Sequence, residues 1–227
     1  MASVAFDLIC GICWTITYAE LIRLTYKSKS YGMPLGALYS NFAWEILASI
    51  YFDSWFVSIN VIWALFDAVV VAITVRNLCR PDNPDFQSTP VLKRFLNPIS
   101  AIYFLIWVAI FVTSVSQFGQ STFVWTGFGM NLYMSGAFIL MLFSRGSTRQ
   151  QSQGVAVSKF IGTLAASIAN YSPGQRLMWL FFGVIAVLDL IYIVALVAVD
   201  RRWIRGNQSL TDPSCLIRSN NEPLNSA

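Results

Sequence analysis

Glu45, Asp67 and Asp189 each sit near the middle of a stretch of about 20 apolar residues, the length that crosses a bilayer. A charged side chain at mid-bilayer depth costs roughly 2.5 to 3.5 kcal/mol on insertion scales, so acids placed there usually face a bundle interior and carry function. Burial favours the neutral form of a carboxyl group, and a second carboxylate nearby favours it further in one member of the pair. A neutral Glu or Asp is then available as a general acid. The three residues therefore point to acid chemistry or proton handling inside a membrane. The competing reading makes each carboxyl a structural group that orders helix packing, and it weighs most on Asp67.

Positioning such residues requires membrane-spanning helices, and the composition supplies them. Of 227 residues, 56% are hydrophobic and only 11% charged, with a mean hydropathy of +0.59, which argues against a soluble domain. Apolar windows predict seven spans: Val4 to Leu24, Met33 to Tyr51, Trp55 to Val75, Pro98 to Ser116, Thr122 to Phe143, Val155 to Tyr171 and Met178 to Val199. The expected fold is an all-α membrane protein, a seven-transmembrane-helix bundle over residues 1–205. Residues 206–227 are expected to form a disordered polar cytosolic tail. The sixth span carries Lys159 and is polar for its length, but Gly162, Ala165, Ala166, Ser167 and Ala169 suit a helix buried against close neighbours. The first span lacks a basic lead and a small-residue cleavage pattern, so it reads as a retained helix.

Basic residues orient the bundle, because Lys and Arg accumulate in short cytoplasmic loops. Arg23, Lys27 and Lys29 follow span one, and Arg76, Arg80, Lys93 and Arg94 follow span three. Arg145, Arg149 and Lys159 surround the next odd loop, Arg201, Arg202 and Arg205 follow span seven, and the opposite loops hold only Arg176. The N-terminus is expected to be lumenal and the C-terminus cytosolic, in a multi-pass protein of the endoplasmic reticulum. Glycosylation at the Asn207-Gln208-Ser209 sequon would overturn that orientation. The net charge of +4 is thereby explained by topology, and no nucleic-acid partner is expected.

Several chemistries are argued against. The chain has no histidine, the commonest metal ligand and usual general base. Cys10 and Cys13 form a C-x-x-C pair without a second pair, short of the four ligands of a structural zinc site. Clustered carboxylates that could hold magnesium against a diphosphate are absent, as is a Gly-rich phosphate loop.

Helical rise places Glu45 about 18 Å along span two, Asp67 about 18 Å along span three and Asp189 about 16 Å along span seven. All three share one depth. Asn41 lies one turn from Glu45, Asn60 and Trp63 share a stripe with Asp67, Tyr192 follows Asp189, and Asn131 stands mid-way along span five. Trp44, Trp63 and Tyr192 adjoin the carboxylates and are candidates to line a pocket for a developing carbocation.

Ser30-Tyr31-Gly32-Met33-Pro34-Leu35 leading into Asn41-Phe42-Ala43-Trp44-Glu45, with Val187-Leu188-Asp189-Leu190-Ile191-Tyr192 in the last helix, resembles the small seven-helix terpene cyclases of fungal meroterpenoid and indole diterpene biosynthesis. The resemblance covers nearly the whole chain, and N-F-A-W-E is its most specific part. It implies a membrane enzyme, without metal or other cofactor, that cyclises a prenyl chain on an aromatic or polyketide core. The substrate would be a hydrophobic epoxyprenyl compound drawn from the bilayer, supplied by an upstream prenyltransferase and an epoxidase. By position the resemblance makes Glu45 and Asp189 the essential acids, one protonating the epoxide. Their places beside the acids or at the same depth make Asn41, Trp44, Trp63, Asp67, Asn131 and Tyr192 candidates to bind substrate or support the acids. The short lead before span one tilts the expectation to a meroterpenoid substrate over an indole diterpene. A proton-coupled transporter or a receptor is the alternative, since intramembrane carboxylates also serve as relays.

Overall fold

The computed structural model describes residues 2–52, 55–86 and 90–211. Seven helices follow one another: α1 (Ala2–Ser28), α2 (Leu35–Tyr51), α3 (Val57–Cys79), α4 (Pro90–Phe118), α5 (Ser121–Arg145), α6 (Gln153–Ala169) and α7 (Arg176–Thr211). Helices are the expected answer, because apolar surroundings cannot satisfy backbone N–H and C=O groups and the chain must do so internally. Five of them are long and apolar enough to cross a membrane, while α2 and α6 stop at 17 residues each. The two short helices are those richest in buried polar side chains for their length, and both border the site described below.

The helix ends follow from local chemistry. Gly146 adopts a left-handed φ of 58° and its N–H closes on the carbonyls of Leu142 and Phe143, ending α5. Ser152 caps α6 by accepting from the Val155 N–H at 3.2 Å. Most boundaries shift by four residues or fewer from those read in the sequence, and two shift by more. Helix α4 begins at Pro90, not Pro98, which lies inside it. Pro90 occupies the first helical position, where a missing N–H is harmless, and the carbonyl that Pro98 leaves free belongs to Arg94, which is exposed to solvent. Helix α7 runs on to Thr211, past the point where the polar tail was expected to begin. Extending an existing helix through Arg and Gln costs little once it is nucleated. Asp53, Cys215 and the rest of the tail lie outside the described residues.

Consecutive helices alternate in direction. Loop α1–α2 meets loop α3–α4 through Lys29 Nζ and Asp82 Oδ2 at 2.8 Å and through the Ser30 hydroxyl donating to Asp85. Loop α5–α6 joins them: Arg145 Nη2 donates to Asp85 Oδ2 at 2.9 Å and to the Tyr31 carbonyl at 3.0 Å, and Arg149 also pairs with Asp85. At the other end Gln120 Nε2 donates to the Tyr51 carbonyl at 2.8 Å. The basic residues of the odd loops thus meet at one end of the bundle.

Helix α1 packs against α6 and α3, α2 against α3, α4 and α5, and α7 against α5 and α6. The α1–α6 approach depends on Gly162: a Cβ there would lie 2.8 Å from Trp14 Cδ1 and 3.1 Å from Cys13 Cβ. Close by, the Thr17 and Ser158 hydroxyls share a hydrogen bond of 2.7 Å. Lys159, counted among the basic residues around the α5–α6 loop and placed in the sixth span, is fully buried in the interior of α6.

Candidate active site

Five helices surround a cavity of about 380 Å³, within the range of pockets that take drug-sized molecules. Asp7, Phe52, Phe56, Phe123 and Asn170 line it from the start of α1, the end of α2, the start of α3, the start of α5 and the end of α6. These ends lie together, opposite the Asp85 cluster, and form the mouth. Further in, the wall is made by Trp14, Trp44, Trp63, Phe128 and Met134, with Glu45, Asn41 and Asn131 as polar members. Among the described residues, α4 and α7 contribute nothing to the lining.

Glu45 anchors a polar cluster at this wall. It is only 3% exposed, and its Oε2 has no hydrogen-bond partner among the described residues. Its Oε1 lies 3.4 Å from the Tyr18 hydroxyl, which stands at the same distance from Asp67 Oδ2. Asn41 Nδ2 donates to both the Tyr18 oxygen, at 2.6 Å, and Asp67 Oδ2, at 2.7 Å. Tyr18 has a single proton to offer two carboxyl groups, so these four side chains form one connected unit. Asn41, Glu45 and Asp67 are brought together from α2 and α3, with Asp67 completely buried behind the wall.

Trp44 and Trp63 both reach the cavity. Their indole N–H groups are held away from it, Trp44 donating to Thr126 Oγ1 at 3.0 Å and Trp63 to Thr15 Oγ1 at 3.2 Å. Asn131 donates to Thr163 Oγ1 at 2.9 Å and keeps its Oδ1 unpartnered at the cavity.

Asp189 and Tyr192 are not where the sequence reading puts them. Both Asp189 oxygens accept from Lys159 Nζ, at 2.8 and 2.9 Å, and the same ammonium donates to Ser135 Oγ at 2.7 Å. Asp189 therefore belongs to an ion pair between α6 and α7, apart from the cavity lining. Equal depth does not bring helix faces together. The pair still borders the site, because Lys159 Nζ lies 5.9 Å from the ring centre of Trp14. Tyr192 donates to Gln151 Oε1 at 2.9 Å and packs on Phe138, in the core between α5 and α7. It lines no part of the cavity, since α7 turns this face toward α5 and the α6 start.

Tyr18, Trp14, Asn60 and Lys159 complete the picture without having been singled out as site residues. A signal exists for the first two: Cys10, Trp14 and Tyr18 recur every four residues along one face of α1. For Lys159 the signal is an opposite charge at matching depth to Asp189. Among the described residues no three His, Cys, Asp or Glu side chains are grouped to hold a metal.

The sequence model of Pyr4-like transmembrane terpene cyclases matches residues 2–202. Curated relatives include the asnovolin H synthase nvfL of Aspergillus novofumigatus, 28% identical over 201 residues that cover 82% of this chain and 81% of that protein. Similar too are terpene cyclase cdmG of Talaromyces verruculosus, 26% identical with 85% of each chain covered, and terpene cyclase pyr4 of Aspergillus fumigatus, 28% identical with 70% of this chain and 66% of the relative covered. No solved structure matches.

Proposed function

The chain belongs to the Pyr4-like transmembrane terpene cyclases, and we propose that it cyclises the prenyl chain of an epoxidised aromatic or polyketide intermediate, with Glu45 as the proton donor. The observation that carries this reading is the Glu45 carboxyl: buried on the wall of an aromatic cavity, with one oxygen hydrogen-bonded to Tyr18 and the other unpartnered.

Neutral Glu45 gives its proton to the epoxide oxygen as the C–O bond at the more substituted carbon breaks, leaving an alcohol and a tertiary cation. Neighbouring olefins attack in turn, forming rings and moving the cation along the chain. Loss of a proton from the last cation to the Glu45 carboxylate restores the acid and closes the balance, so substrate and product are isomers. Trp14, Trp44, Trp63 and Phe128 offer ring faces to the cation, each worth about 0.5 to 2 kcal/mol. The dry, packed wall keeps water from quenching it. Asn41, Tyr18 and Asp67 hold the Glu45 carboxyl in place.

Asp189 acts in this reading as a positioning residue through Lys159. An unpaired ammonium beside Trp14 would oppose a cation in the cavity, and Asp189 neutralises it. The integral membrane protein is proposed to sit in the endoplasmic reticulum with seven spans, its N-terminus lumenal and the Asp85 end facing the cytosol, because the basic odd loops gather there. An upstream prenyltransferase and an epoxidase would supply its substrate.

The test uses microsomes carrying the full chain and a farnesylated phenol epoxide. Wild type should return an isomer of unchanged mass with new rings, and Glu45→Gln should return the epoxide intact. Normal cyclisation by Glu45→Gln would overturn the assignment, while movement of unchanged compound across sealed vesicles would favour a transporter.

A further inference from the structure

Asn60 poses a separate problem at the same cavity. It lines the wall in the first turn of α3 and is fully buried, yet neither its Nδ2 nor its Oδ1 has a hydrogen-bond partner among the described residues. A buried amide stripped of both its donor and its acceptor bonds is strongly disfavoured, and such groups in folded proteins call for an explanation. Among the described residues, the other fully buried lining atoms without a hydrogen-bond partner are Glu45 Oε2 and Asn131 Oδ1.

Its height in the bundle separates Asn60 from the acid. Phe56 and Phe52 line the mouth. Counted from them along the helices, Asn60 lies four residues in on α3 and Glu45 seven residues in on α2, about 6 and about 10 Å at helical rise. Asp7 and Asn170 line the cavity near the helix ends as well, so polar groups are present in its outer part. Phe56, Asn60 and Trp63 follow one another on a single face of α3, with the Phe56 and Trp63 rings in edge-to-face contact, their centroids 5.4 Å apart, beside the amide.

We propose that Asn60 docks the polar core of the substrate, through a hydroxyl and an adjacent carbonyl on that core, so that the prenyl chain enters epoxide-first toward Glu45. A primary amide presents an N–H donor beside a C=O acceptor, and a hydroxyl next to a carbonyl is its complement. The edge-to-face Phe56–Trp63 pair beside the amide gives the flat core an apolar surface to pack on. This inference rests on the cyclase reading, because it is that reading which gives the ligand a prenyl chain and a polar core.

The test is binding without chemistry, on purified full-length protein in lipid nanodiscs, read by quenching of tryptophan fluorescence from the cavity wall. One probe is 2-hydroxyacetophenone carrying a farnesyl chain with its olefins intact; the other is farnesylbenzene, which lacks both polar groups. Asn60→Leu should weaken the first probe at least about tenfold and leave the second within about twofold of wild type. Equal binding of the first probe by wild type and variant would overturn the proposal, with water satisfying the amide instead. So would equal loss of both probes, which marks a collapsed wall, or failure of wild type to bind the first probe. The cyclase reading is judged separately, by the epoxide of the same hydroxyacetophenone: wild type that binds this compound but never forms rings refutes the chemistry while leaving the docking role of Asn60 standing.

Discussion

Lys159 Nζ sits 2.8 and 2.9 Å from the two carboxylate oxygens of Asp189, with both side chains almost wholly buried. Breaking such a pair by removing one partner typically costs about 3 to 5 kcal/mol, whereas replacing both by apolar groups of similar volume is often neutral. Lys159→Met and Asp189→Asn should therefore each lower the melting temperature of the solubilised protein markedly. The double variant Lys159→Met, Asp189→Leu should recover most of that stability and a measurable share of cyclisation. An Asp189 that is itself the proton donor predicts no recovery of activity, and product assay of the double variant decides between them.

Tyr18 links Glu45 to Asp67 through a hydroxyl 3.4 Å from each. Tyr18→Phe keeps the ring packing against Trp14, Trp63 and Phe66 and deletes only the hydroxyl. Turnover should fall about tenfold, corresponding to the loss of roughly one hydrogen bond's worth of positioning, while KM stays near its original value. A change confined to KM would place Tyr18 in substrate binding instead.

Gly127 packs directly against Trp44 in the cavity wall, and a Cβ built on it would stand 3.1 Å from Trp44 Cζ2. Gly127→Leu must push that indole or occupy the space itself. The expected result is a larger loss of rate for a farnesyl than for a geranyl epoxide, read from the two initial rates in one microsome preparation. Equal losses would show that Trp44 does not bound the chain.

Asp85 ties three loops together at the end remote from the cavity mouth, with its side chain and that of Arg145 only 7% and 4% exposed. Asp85→Asn should destabilise the protein by about 3 kcal/mol, because Arg145 is left buried beside a neutral partner. Turnover per folded molecule should hold, since the cluster does not reach the cavity. Added salt should change the wild-type melting temperature little, as buried pairs are weakly screened.

Exposed Asp82 behaves differently from this buried acid. Hydrogen bonds from Arg80 and Lys29 hold its carboxyl well below the ordinary aspartate range. The folded state thus binds this proton less readily than the unfolded one, so whatever Asp82 contributes is present at neutral pH and is lost as pH falls through the acid range. Asp82→Asn should leave the melting temperature at pH 7 almost unchanged, the usual result for an exposed pair.

The helices were legible because lipid leaves the backbone little choice. Runs of apolar residues between Gly and Pro breakers located all seven, and the boundaries that slipped, at Pro98 and beyond Gly206, are those where no apolar run marks the helix end. Within the site, Glu45, Asn41 and Asp67 could be grouped in advance because α2 and α3 are neighbours in sequence and pack as neighbours in space. Tyr18 escaped notice because its hydrogen-bond partners come from other helices, and the four-residue spacing of Cys10, Trp14 and Tyr18 marks a face of α1 without telling what that face meets.

From sequence alone came the depth of each acid, at 1.5 Å of rise per residue, the membrane-spanning class, and the family resemblance carried by N-F-A-W-E. Depth is a coordinate that chain order encodes directly. The rotation of each helix about its own axis, and its choice of neighbours, are set by packing among distant segments: Gly162 admitting Trp14 between α6 and α1, Lys159 drawing Asp189 away from the cavity, Asn60 turned inward without a partner. Three acids at one level became one acid at a cavity, one behind its wall and one in an ion pair, and only the tertiary structure could assign them.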